Sequence, residues 1–116
     1  MALETLIPSI PALLVLAVLE DGPAHGYHIA RRVDQESKGL LTLKEGTLYP
    51  RLYQLERDGL IQGTWQESRP GRRVKLYALT PEGTHALRVQ RQEWEAKAAA
   101  VNRVLYRQGG PALGHS

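Results

Sequence analysis

Apolar and polar positions along the chain change their period at a few points, and each change marks an element. From Ile10 onward, Leu13, Leu14, Leu16, Ala17, Val18 and Leu19 nearly encircle a helix that has Pro11 at its first position and ends at Asp21-Gly22-Pro23. A helix apolar on every side belongs at the centre of a domain. A second helix, His25 to Ser37, repeats Ile29, Ala30 and Val33 at helical spacing, with Arg31, Arg32, Asp34 and Glu36 pointing elsewhere, and Lys38-Gly39 closes it. Leu40, Leu41 and Leu43 then form a short extended connection to a third helix, Gly46 to Asp58, stopped by Gly59.

In the third helix, Leu48, Leu52 and Leu55 fall within about 60° of one another at 100° per residue, a stripe for the core, while Pro50, Tyr53, Gln54 and Arg57 lie on the opposite side. A proline loses no helical hydrogen bond only in the first turn, so Pro50 places the helix start close to Thr47. That start presents free N–H groups and the Thr47 hydroxyl, a place for a phosphate oxygen.

Beyond Gly59 the period becomes alternating. Ile61 to Ser68 and Arg73 to Leu79 read as two strands, joined by Arg69-Pro70-Gly71-Arg72 with Pro and Gly at the central positions of a type II turn. Lys75, Tyr77 and Leu79 share one strand face; Val74, Leu76 and Ala78 share the other. Arg69, Arg72, Arg73 and Lys75 crowd the tip without an intervening acid, and such repulsion adds nothing to stability. Trp65, on the first strand, is expected in the core or packed between hairpin and helix.

The last helix opens with Thr80 as N-cap and Pro81 next, and can run to Gln108 before Gly109-Gly110-Pro111. At about 40 Å it exceeds what the preceding body can cover. Leu87, Trp94 and Val101 recur every seven residues with Ala98 and Leu105 beside them, an apolar seam expected to pair with a second copy of the chain. The expected fold class is mainly α with a small β-hairpin: a winged helix-turn-helix domain over 1–79, a dimerisation helix over 80–108, and a disordered tail over 109–116.

Composition narrows the function classes. The 116 residues suffice for one core, and 42% hydrophobic with 23% charged residues is the balance of a globular protein. The net charge of +3 suits a polyanionic partner. With no cysteine there are no disulfides or thiolate metal sites, which fits a reducing cytoplasm. The apolar run Leu6 to Leu19 is shorter than the roughly 20 residues that span a bilayer, so no membrane partner is expected. Gly46 stands alone, without a phosphate-cradling loop, and no Ser sits in a nucleophile elbow, so neither catalysis nor a cofactor is expected. His25 and His28 stand three apart on a helix, but no third ligand stands at a helpful spacing, and metal binding is not expected.

Four motifs converge in order and spacing: Gly22-Pro23-x-His25-Gly26-Tyr27, Glu45-Gly46-Thr47-Leu48-Tyr49-Pro50, Leu55-Glu56-x-x-Gly59-Leu60-Ile61, and Gly71-Arg72-Arg73-x-Lys75-x-Tyr77-x-Leu79-Thr80-x-x-Gly83. Together, over roughly Leu13 to Trp94, they resemble the PadR family of bacterial transcriptional regulators. The departures are Leu76, where the family often has a second aromatic, and the N-terminal Pro8 and Pro11. The resemblance implies a short-form homodimer on a pseudo-palindromic operator in double-stranded DNA, usually a repressor, released by a small molecule or other signal. It implies Tyr27 and Tyr49 as hydroxyl donors to phosphates. Thr47, Pro50, Arg51, Tyr53 and Gln54 would face the major groove, and Arg69, Arg72, Arg73 and Lys75 would contact DNA from the wing.

Several residues carry two readings. Tyr49 and Tyr53 fit DNA contact or half-buried packing; Arg51, toward the flank of its helix, fits a backbone phosphate contact or a solvated side chain; Arg57 fits DNA contact or a solvated helix end beside Glu56 and Asp58. Trp94 fits dimer-core packing, or an apolar slot shared with its symmetry mate that stacks a flat aromatic effector, as some multidrug-responsive family members do. The competing function is a winged-helix module that binds another protein without DNA; it would present an acidic or apolar third helix and an uncharged wing, the reverse of this pattern.

Overall fold

The computed structural model describes residues 10–107; the tail at 109–116 and the segment at 1–8 lie outside the described residues. The elements are α1 (Ile10–Leu19), β1 (Ala24–His25), α2 (Gly26–Glu36), α3 (Glu45–Arg57), β2 (Ile61–Arg69), β3 (Arg72–Leu79) and α4 (Pro81–Leu105). The architecture is a winged helix-turn-helix body with a long C-terminal helix, as the periodicity predicts.

The all-apolar α1 is the hub. It touches α2, α3, α4 and β3, and its Val15 and Leu16 are fully buried. Around it, α2 contributes Ile29 and Val33, α3 contributes Leu48, Leu52 and Leu55, and the sheet contributes Ile61 and Tyr77. Each is the apolar stripe of an otherwise polar element, so one core is built from partly solvated pieces around α1. The Arg91 guanidinium donates to Glu20 at 2.9 Å, which ties α4 to the end of α1 and holds the Glu20 carboxyl below its ordinary range.

The sheet is antiparallel with order β1-β3-β2. The third strand, β1, is absent from the sequence reading: two residues carry no alternation, and only the pairing of Ala24 with Tyr77 and His25 with Leu76 makes them a strand. His25, at the expected start of the second helix, is the extended N-cap of α2, with its ring Nδ1 3.1 Å from the Lys75 carbonyl. The hairpin turns through Pro70 and Gly71, and Gly71 has the positive φ of 78° that the second central position of a type II turn demands.

Both α2 and α3 end in paired closing bonds. For α3, Leu60 N–H donates to Leu55 and Gly59 N–H to Glu56, with Gly59 at φ 78°. For α2, Gly39 N–H donates to Asp34 and Lys38 N–H to Gln35, but here the left-handed position is taken by Lys38, at φ 55°. The start of α4 is equally well specified. Thr80 Oγ1 accepts from Gly83 N–H at 3.0 Å and donates to the Gly59 carbonyl at 2.6 Å, while Thr80 N–H donates to Leu60 at 3.1 Å. Gly83 lies so close to the Leu60 carbonyl that a Cβ could not fit.

The Lys38 conformation yields a prediction. A side chain in the left-handed region costs about 1 kcal/mol, so Lys38→Gly is expected to raise unfolding stability by about 0.5–1 kcal/mol in urea titrations with an unchanged m-value.

Candidate nucleic-acid interface

The outer face of α3 carries no carboxylate between Gly46 and Leu55. Thr47, Tyr49, Pro50, Tyr53 and Gln54 are exposed there, and Arg51 is half-buried, its guanidinium donating to the Gln54 side-chain oxygen at 2.9 Å. Arg57 lies at the helix end, 3.6 Å from Asp58, in agreement with its solvated reading.

The helix start is a correction. It lies at Glu45, with Lys44 as N-cap, two residues before Thr47. The N–H of Thr47 already donates to Lys44 at 2.9 Å and is not a free donor of the helix start, although Thr47 is exposed. Pro50 is consequently inside the helix, where it removes the N–H that would have bonded to the Gly46 carbonyl.

Tyr49 occupies an intermediate position between its two readings. It is 46% exposed, yet its ring lies across Gly26 at the start of α2: a Cβ on Gly26 would stand 3.0 Å from the Tyr49 hydroxyl. Tyr53 is 68% exposed and free of such packing. The Tyr49 ring forms one wall of an open groove of about 450 Å³ that runs from Tyr27 at the start of α2 to Arg72, Arg73 and Trp65 on the wing. The structure therefore brings Tyr27, Tyr49, Arg72 and Arg73 together along one groove, which Arg69 does not line. Arg31 stacks over the Tyr27 ring, 5.8 Å from its centre.

On the wing, Arg69, Arg72 and Arg73 are exposed, in keeping with a cationic tip. Lys75 is the wing cation tied to the body. Its ammonium donates to Glu56 on α3 at 2.9 Å and is largely enclosed, so it is a strut between wing and helix before it can be a phosphate ligand. The hydrogen bond it donates to Glu56 raises the Lys75 pKa against the opposing effect of burial. Glu56 also accepts from the N–H of Gly63 on β2 at 3.2 Å. Burial pushes up the phenol of Tyr77, which lies beside the same ammonium. Trp65 overturns a second expectation: it is 54% exposed, with Arg73 and Lys75 over its ring, and belongs to no core.

The family described as the transcriptional regulator PadR-like family matches residues 15–89. This chain belongs to that PadR-like family. It is 33% identical over 89 residues to the transcriptional regulator Rv3488 of Mycobacterium tuberculosis, covering 77% of this chain and 79% of that protein. It is 31% identical over 83 residues to the transcriptional regulator YqjI of Escherichia coli, covering 72% of this chain; the chain spans only 38% of that relative's length. Its fold resembles Bacillus subtilis PadR in complex with operator DNA, with a TM-score of 0.66 and 25% identity, covering 70% of this chain and 46% of that one.

The apolar seam of this PadR-like chain divides in two. Leu87 is 1% exposed and packs in the protomer's own core, which removes it from the expected dimer interface. One helical face thus begins buried and emerges beyond the body: Trp94, Val101 and Leu105 are exposed, and Ala98 is half-buried. No helix among the described residues is long and apolar enough to cross a membrane.

The strut between wing and α3 can be tested by pH. A raised lysine pKa adds stability that is fully present below the ordinary value of 10.5 and is lost as pH rises through the folded-state value. Glu56→Gln is expected to cost about 1 kcal/mol at neutral pH, with the difference from wild type shrinking above pH 10.5 in matched denaturant titrations.

Proposed function

We propose that this chain is a sequence-specific DNA-binding transcriptional regulator that represses as a homodimer and is released by a small molecule or another signal. The observation that carries the reading is the outer face of α3 from Gly46 to Leu55, free of carboxylates and continuous through the Tyr49 groove with a wing bearing three exposed arginines. The similar Bacillus subtilis PadR is in complex with operator DNA, which supports DNA as the partner.

In this reading residues 1–79 form the DNA-binding domain and 80–108 the dimerisation helix. The N-terminal half of α3 enters the major groove, where Thr47, Pro50, Arg51, Tyr53 and Gln54 face base edges. Tyr27 and Tyr49 donate to phosphates along the groove they share, and Arg69, Arg72 and Arg73 reach toward the adjacent minor groove, where cations are held by its negative potential. Lys75 acts mainly through Glu56.

The emergent half of α4 is the surface for a second copy. Trp94, Ala98, Val101 and Leu105 lie on one helical face with no body beneath them, and burying aliphatic side chains of the size of Val101 and Leu105 contributes about 1.5–3 kcal/mol each. Two-fold pairing sets two copies of α3 at half-sites about 34 Å apart, which requires a pseudo-palindromic operator. Trp94 and its mate then either fill the dimer core or frame an apolar slot for a flat aromatic effector, whose entry changes the spacing of the reading heads. Occupancy of a promoter by such a body excludes other proteins, hence repression. Such a regulator works in the cytoplasm.

Arg72→Ala combined with Arg73→Ala is expected to lower affinity for a duplex selected from genomic fragments, and to reduce the slope of log affinity against log salt by about two. Weak binding to every duplex, unchanged by these substitutions, would transfer the α3 face to a protein partner. Val101→Glu is expected to convert the dimer to monomer in sedimentation equilibrium while leaving the helical circular dichroism signal in place; a dimer that persists would displace the interface from α4.

A further inference from the structure

We infer that Trp65 is a positioning residue for duplex binding: its ring holds the Arg73 guanidinium and the Lys75 ammonium on one side of the wing. This rests on the DNA reading above. Trp65 pairs in register with Lys75 across β2 and β3, and Arg73 follows two residues away on the same strand face. The guanidinium carbon of Arg73 is 5.2 Å from the ring centre and the ammonium of Lys75 is 5.5 Å from it. Both distances fall within the range at which the negative face of an indole attracts a cation.

The two cations differ in what else holds them. Lys75 is bonded to Glu56, whereas no carboxylate among the described residues pairs with Arg73, although Glu67 is its register neighbour. The Trp65 ring is therefore the group that orients Arg73. Attraction to a π face leaves the in-plane N–H donors of the guanidinium unused, whereas a carboxylate would occupy them. A wing arginine oriented in this way loses less side-chain freedom when it meets a phosphate. An indole left more than half exposed would otherwise place apolar surface in water to no purpose.

The experiment uses the full chain, a duplex recovered by selecting genomic fragments with the wild-type protein, and the variants Trp65→Leu, Trp65→Phe and Arg73→Ala. Trp65→Leu keeps apolar bulk without a π face and is expected to weaken binding about tenfold, while Trp65→Phe stays within about threefold of wild type. Neither changes the salt slope, because both cations remain; Arg73→Ala lowers it by about one. Without any DNA, the Arg73 Nε–H proton resonance should carry a ring-current shift that Trp65→Leu abolishes. Binding by Trp65→Leu within twofold of wild type, a salt slope that falls with it, or an Arg73 resonance that does not move would each overturn the inference. Should wild type itself bind no duplex, the DNA reading fails first and this role falls with it, while the Arg73 resonance still reports whether the ring orients the guanidinium.

Discussion

Everything else in the molecule depends on burying a helix that has no polar side. Because α1 is apolar on every side it must be largely wrapped, and α2, α3, α4 and β3 pack around it. That single demand sets the relative position of elements that never touch one another extensively. The outer face of α3 is where it is because its inner face, Leu48, Leu52 and Leu55, has nowhere else to go.

The polar contacts then refine what the core leaves loose. The sheet edge is closed by two residues of β1, and His25 meets the backbone of β3 as α2 begins, so the start of α2 and the wing share a boundary. Glu56 reaches both β2 and β3, through the Gly63 N–H and the Lys75 ammonium. A hairpin attached only at its base is free to swing; this one is braced partway along its length, and only the part beyond Lys75 is left as an unbraced finger. Braced to α3 up to Lys75 and unbraced to it beyond, the wing has two mechanical regimes within the eight residues of β3.

Most of the fold was legible because it rests on local patterns. Ring-wide apolarity marked α1, a narrow stripe marked α3, and Thr80-Pro81 marked the start of α4 within a residue. What escaped was decided by partners distant in the chain. Two residues cannot display a strand period, so β1 exists only through Leu76 and Tyr77. The spacing of seven that links Leu87 to Trp94 says that they share a face, not that the body ends between them. Lys75 looked like part of a basic cluster because its counterion, Glu56, lies 19 residues away on another element. The preference of tryptophan for interiors pointed Trp65 inward, whereas two cations of the neighbouring strand give its faces company at the surface. The candidate site was thus readable as a list of residue types, while the division of labour among them was not.

The missing Cβ at position 83 has a mechanical consequence. With the Leu60 carbonyl against that glycine and the Thr80 hydroxyl bonded to Gly59, the first turn of α4 is clamped to the exact point where α3 hands over to β2. The helix is about 37 Å long, so tilting it by about 5° at this clamp sweeps its far end through about 3 Å. Run backwards, the same lever turns a modest displacement at the free tip into a rotation of the whole body, with no flexible joint in between to absorb it.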